Sequence, residues 1–167
     1  MKKKILTFNC IILMLFCQCS GVAMAITDGQ KDAIIDRCDS IKDDLKKVQK
    51  DDSRVRVYLG GRYETILSKF ITPLNVRLVE NNLSTTGLVE NQNDFAATKA
   101  LFADDFVNYQ KGLEDLIGLD CKKNPEEFYK KLVSVREKRK IMVQDVLKMR
   151  NLISQHIKLV KRVMERM

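Results

Sequence analysis

The chain has 167 residues, with 30 lysines and arginines against 22 aspartates and glutamates and a formal net charge of +8. It holds no tryptophan, one histidine and two prolines, so helix breakers are few and the size leaves room for one domain. The period-two alternation of a surface strand is found nowhere along it.

The first residues read as an export signal. Lys2, Lys3 and Lys4 precede an apolar stretch from Ile5 to Phe16, and Ala23-Met24-Ala25 has the small-x-small form that a signal peptidase accepts, which places the cut after Ala25. A membrane anchor is the competing reading, but Asn9 interrupts the stretch, which falls short of the ~20 residues needed to cross a bilayer. Lipidation is not expected, because Cys17 follows Phe16 and Cys19 follows Gln18 rather than a small residue. Residues 1–25 are thus expected to be removed, leaving a single helical domain over 26–167 with Cys38 and Cys121 as its only cysteines. In an oxidising compartment such a pair reads as one disulfide, with two separate buried thiols as the alternative.

In the first mature segment Ile34, Cys38, Ile41, Leu45, Val48, Val55 and Leu59 share one helical stripe that only Asp52 interrupts. Gly60-Gly61 then predicts a bend or a change of phase. Helical spacing resumes with Tyr63, Ile66, Leu67, Phe70, Ile71, Leu74 and Leu78, and Pro73 within that run predicts a kink near Thr72. Asn81, Asn82, Ser84, Thr85, Thr86 and Gly87 form a polar turn. A middle helix is expected from Asn93 or Asp94 to Gly118, burying Phe95, Phe102, Phe106, Tyr109, Leu113 and Leu116.

Asn124 as N-cap, Pro125 at the first helical position and Glu126 and Glu127 in the first turn open the last helix. From Phe128, steps of four and three residues trace an apolar stripe to Met167 that only Arg139 and His156 interrupt. Short connections make neighbouring helices antiparallel. The predicted fold is all-α, an elongated antiparallel three-helix bundle or coiled coil with a kinked first helix. A straight first helix would leave Cys38 and Cys121 offset by roughly 16 Å along the axis at 1.5 Å per residue, so a bridge between them requires the first helix to shorten its path at Gly60-Gly61 and Pro73.

Charge divides unevenly. Residues 26–121 carry 13 basic and 17 acidic side chains, whereas residues 122–167 carry 14 basic and 5 acidic. Either the basic last helix is neutralised by the acidic helices before it, or it presents a cationic face to an anionic partner. The candidate face is Lys138, Lys140, Lys148, Lys158 and Lys161.

Signals for chemistry are sparse. His156 has no cysteine or carboxylate at ligand spacing, so a core or interface histidine is expected and no metal site. Arg139 either pairs across to an acidic residue or sends its charge to water from a packed stem. Asp43-Asp44, Asp51-Asp52 and Asp104-Asp105 read as solvated helix faces, and Gly60-Gly61-Arg62 lacks the lysine and further glycines of a phosphate-cradling loop. Asn82-Leu83-Ser84 matches a short glycosylation pattern. No enzyme, cofactor or nucleic-acid partner is expected.

The stretch Tyr63-Glu64-Thr65-Ile66-Leu67-Ser68-Lys69-Phe70-Ile71, with Pro73-Leu74-Asn75 and Glu80-Asn81-Asn82, resembles a group of small exported helical proteins from Saccharibacteria and related episymbiotic bacteria. Arg37-Cys38, Asp120-Cys121-Lys122, Phe128-Tyr129 and Val135-Arg136 extend the likeness over most of the mature chain. The resemblance implies a bacterium living on a host cell's surface and an exported interaction role rather than an enzyme; it implies no mechanism. The expected function is a structural or partner-binding module, secreted or associated with the cell envelope, engaging a protein or an anionic envelope component through a helical face. The alternative is a holdase similar to the small basic helical-hairpin chaperones that clasp unfolded exported proteins. Val146, Ile153 and Val160 suit a two-helix seam, so self-association would give a homodimer. After signal cleavage no integral membrane segment is expected.

Overall fold

The structure, a computed structural model, describes residues 26–166; the expected export signal lies outside them. Among the described residues there are helices and no strand: α1 (Asp28–Asp36), α2 (Cys38–Thr65), a π-helical segment (Ile66–Ile71), α3 (Thr72–Glu80), α4 (Thr86–Gly118) and α5 (Pro125–Met164). The all-α bundle with a kinked first helix is the observed fold. Residues 38–80 form one long bent rod, α4 returns antiparallel to it, and α5 runs antiparallel to α4 in the most extensive pairing of the molecule.

α1 opens on a capping box. The Thr27 hydroxyl accepts from the Gln30 backbone N–H at 3.3 Å, and the Gln30 side-chain oxygen accepts from the Thr27 N–H at 3.0 Å. Gly60-Gly61 do not interrupt the helix and lie inside the unbroken α2. The cost of about 1 kcal/mol for each helical glycine is offset there by packing on both sides, with Leu59 against the core and Tyr63 buried in it. Pro73 acts as expected, one turn upstream. It has no N–H to return to the carbonyl four residues back and its ring crowds that carbonyl; the preceding turn widens, and the Thr72 N–H donates to Leu67, five residues earlier.

α3 ends in a Schellman turn. Asn82 takes φ 57°, its N–H donates to Val79 at 2.9 Å, and the Leu83 N–H donates to Leu78 at 3.0 Å. α4 begins at Thr86, several residues before the expected Asn93. Leu88 and Asn91 in this first part are buried, so tertiary packing extends the helix through what reads locally as a polar turn.

The two charged interruptions of the helical stripes meet. Arg139 on α5 donates to Asp52 on α2 through Nε at 2.8 Å and Nη2 at 2.9 Å, and the Tyr109 hydroxyl on α4 donates to the same carboxylate at 2.7 Å. One carboxylate thus ties all three rods at mid-bundle. Burial works to raise the pKa of Asp52, but the bonds from Arg139 and Tyr109 outweigh it and hold the carboxyl below the usual carboxylate range. Burial and then the Asp52 bond push the Tyr109 phenol upward. Asp52→Ala strands the buried Tyr109 hydroxyl and should cost about 2–3 kcal/mol in urea unfolding. Arg139→Ala should cost less, because that side chain is 52% exposed against 12% for Asp52.

Cys38 at the start of α2 and Cys121 just after α4 form a disulfide with Cα atoms 5.7 Å apart. The expected offset disappears because the interhelix loop adds no helical rise and because Leu119 is extended. At 1.5 Å per residue residues 38–80 span about 63 Å and α4 about 48 Å, and the extended Leu119 lengthens the shorter path by roughly 3 Å. The rest of the difference lies in the bend of the 38–80 rod, which includes the π-helical segment. Lys122 pairs with Asp39 at 2.7 Å and Lys31 with Glu126 at 2.6 Å beside the bridge.

Candidate binding face

The two ends of the bundle are electrostatically unlike. At the disulfide end, cations meet carboxylates of other segments. From Val146 to Met164, by contrast, α5 carries Lys148, Arg150, Lys158, Lys161 and Arg162 and no acidic residue. Among the described residues none of these five has an ion-pair partner. The segment facing this end of α5, from Ile66 to Val79, contributes Lys69 and Arg77, also unpaired among the described residues, and again no acid.

The five candidate lysines do not behave as one set. Lys138 turns against α4, its Nζ donating to the Asn108 carbonyl at 3.4 Å and lying where a Cβ on Gly112 would be 3.1 Å away. Lys140 pairs with Glu137 of its own helix at 3.6 Å. Lys148, Lys158 and Lys161 are the ones without an acidic partner among the described residues. Of the expected seam residues Val146, Ile153 and Val160, the first two are partly buried against the core of this chain and Val160 lines the groove described next.

Beside these cations an apolar groove of about 350 Å³ runs between the bent rod and α5. Ile66, Phe70 and Leu74 form one wall and Ile153, Ile157 and Val160 the other, with Lys161 at the rim. The groove lies beside the π-helical segment, where Phe70 on one wall is 64% exposed and Ile157 on the other 52% exposed. His156 also lines it and is buried, and neither ring nitrogen has a hydrogen-bond partner among the described residues. Burial pushes the imidazole pKa down, so the side chain is neutral. It is a core histidine as the sequence reading expected.

Sequence reasoning missed a buried polar layer at this end. Asn75 donates to the Leu88 carbonyl at 3.2 Å and to Gln92 at 2.7 Å, Gln92 donates to Thr72 at 3.1 Å, and Asn91 donates to Gln155 at 3.5 Å. The available signal was phase: Asn75 lies four residues after Ile71 and Asn91 four before Phe95, both on buried stripes.

Asp145 is a second missed feature. Its carboxyl is pushed above the usual carboxylate range, first by burial and then by Asp105, and one of its oxygens is buried without a partner. Asp105 is therefore no simple solvated-face residue. A carboxyl with a raised folded pKa stabilises the fold at pH values below the unfolded pKa of about 3.9 and loses that contribution as pH rises through the folded pKa. Asp145→Asn should therefore raise the melting temperature by a few degrees at pH 7 and lose the advantage near pH 4. The same shift at both pH values would contradict this.

Comparison of the chain with protein-family models, with curated proteins and with solved structures finds no match. Among the described residues no helix is long and apolar enough to cross a membrane, and no group of three or more histidine, cysteine or acidic side chains could hold a metal ion.

Proposed function

We propose that this protein is an exported, non-enzymatic helical module that binds an anionic partner at the cell surface through the second half of α5. The observation that carries this reading is the run from Val146 to Met164, which holds five cations and no acidic residue, none of the five having an ion-pair partner among the described residues. Unpaired cations at such density raise the local concentration of anions and speed their capture. The disulfide accords with an oxidising compartment, and the resemblance to exported helical proteins of Saccharibacteria accords with a role outside the cytoplasm.

The test is binding of an anionic polymer, poly-glutamate, by the mature protein. Binding should weaken as salt rises, since exposed charges are screened beyond ~8 Å at physiological ionic strength. Changing Lys148, Lys158 and Lys161 together to glutamine should remove at least nine-tenths of the affinity and leave the melting temperature within about 2 °C of wild type, as surface substitutions away from paired groups do. Lys31→Gln with Lys122→Gln, at the paired end, should leave affinity unchanged. Equal losses from the two sets would refute a localised face.

The apolar groove favours a holdase as the second reading. Suppression of an unfolded exported client's aggregation at stoichiometric amounts would put that reading first.

A further inference from the structure

The groove beside the cationic face narrows the chemistry of the partner, resting on the reading above for the sign of its charge. Both walls are hydrocarbon, and the two segments that build them contain seven cations and no acid between them. The imidazole lining the groove has both nitrogens buried, so it presents carbon and offers an occupant no hydrogen bond.

Three classes of occupant can be weighed on these features. An extended peptide laid in the groove would leave its own N–H and C=O groups facing hydrocarbon, unpaired. A second copy docked by a two-fold axis would set two segments with seven cations and no acid against their own copies, with Lys161 at the rim of the contact, since such an interface uses the same patch on both subunits. An alkyl chain has no polar groups to satisfy along its length. Two facing walls enclose a single chain, whereas a flat bilayer would meet only the outer edges at Phe70 and Ile157.

We propose that the groove binds the alkyl chain of a free long-chain carboxylate, with its head group at the Lys161 rim. The chain lies between Phe70 and Ile157, and the carboxylate meets Lys161 at the rim, which has no ion-pair partner among the described residues.

Fluorescence titration of the disulfide-bonded mature protein with cis-parinaric acid, competed by dodecanoate below its micelle concentration, tests this directly. Saturable one-to-one binding is expected. Ile157→Asp and, independently, Phe70→Asp should each weaken it at least tenfold, while Val57→Asp, on an exposed part of α2 remote from the groove, should not. Lys161→Gln should weaken dodecanoate several-fold and leave uncharged dodecanol unaffected. Absence of saturable binding, indifference to both groove variants, or displacement by anionic vesicles or an unfolded client but not by dodecanoate would overturn the proposal. Lost dodecanoate binding with intact poly-glutamate binding would discard the groove and spare the cationic face. The converse would discard the face as a polymer site and spare the groove.

Discussion

Removing the Cys38–Cys121 bridge should lower stability by about 4–5 kcal/mol on the chain-entropy account, because the cysteines are separated by 83 residues and the closed loop takes in almost all of α2, α3 and α4. The effect lies in the unfolded chain, which gains freedom when the bridge is cut. Cys38→Ser with Cys121→Ser should therefore melt roughly 15 °C lower, at a few degrees per kcal/mol for a domain of this size. Its urea unfolding should show a steeper denaturant slope, since the released chain exposes more surface. Far-ultraviolet circular dichroism at low temperature should stay helical, because the ion pairs Lys122–Asp39 and Lys31–Glu126 and the buried helix stripes persist. Two alkylatable thiols in the exported protein, found by non-reducing mass analysis, would reject the bridge.

Phe95→Ala should cost a comparable amount, about 3–5 kcal/mol, for the opposite reason. Phe95 is 0% exposed, and its ring meets Tyr63 edge-on with centroids 5.9 Å apart. Truncation leaves a cavity between α4 and the bent rod that rigid helices cannot close, so the loss lies in the folded state and the denaturant slope should not change. Phe95→Leu should recover more than half of the cost by refilling most of the volume. A loss below about 1 kcal/mol for the alanine variant would mean that the site collapses and that the α2–α4 interface is far softer than its packing indicates.

The bundle was legible in the sequence because each rod carries a long apolar stripe, and long periodic runs are the most dependable local signal. The start of α5 was legible for the same reason, aided by Asn124, Pro125 and the two glutamates. Gly60-Gly61 misled because a helix cost of about 1 kcal/mol per glycine is small beside the packing that flanks it. Thr86 to Gln92 misled because burial of Leu88 and Asn91 is a tertiary fact with no local mark. Asp52 and Arg139 were each visible as interruptions, but their partnership spans 87 residues, and the register that brings them together follows from the turns rather than from either stripe.

The candidate face was half legible. Composition located the charge in the last helix, yet it could not separate Lys138, folded against α4, from Lys158 and Lys161, which have no ion-pair partner among the described residues. The groove was less visible still. Phe70, Leu74, Ile157 and Val160 read as ordinary stripe residues, and only the tertiary arrangement beside the π-helical segment shows them lining an open groove.

On the proposed function, the α3 end of the bundle is an open binding surface and the disulfide end a closed, paired one. Hydrogen–deuterium exchange with and without saturating poly-glutamate tests it most directly. Ligand-dependent protection should fall within residues 146–164 and the facing residues 66–80. Protection centred on residues 28–45 and 118–130, or no change in exchange under saturating ligand, would contradict it.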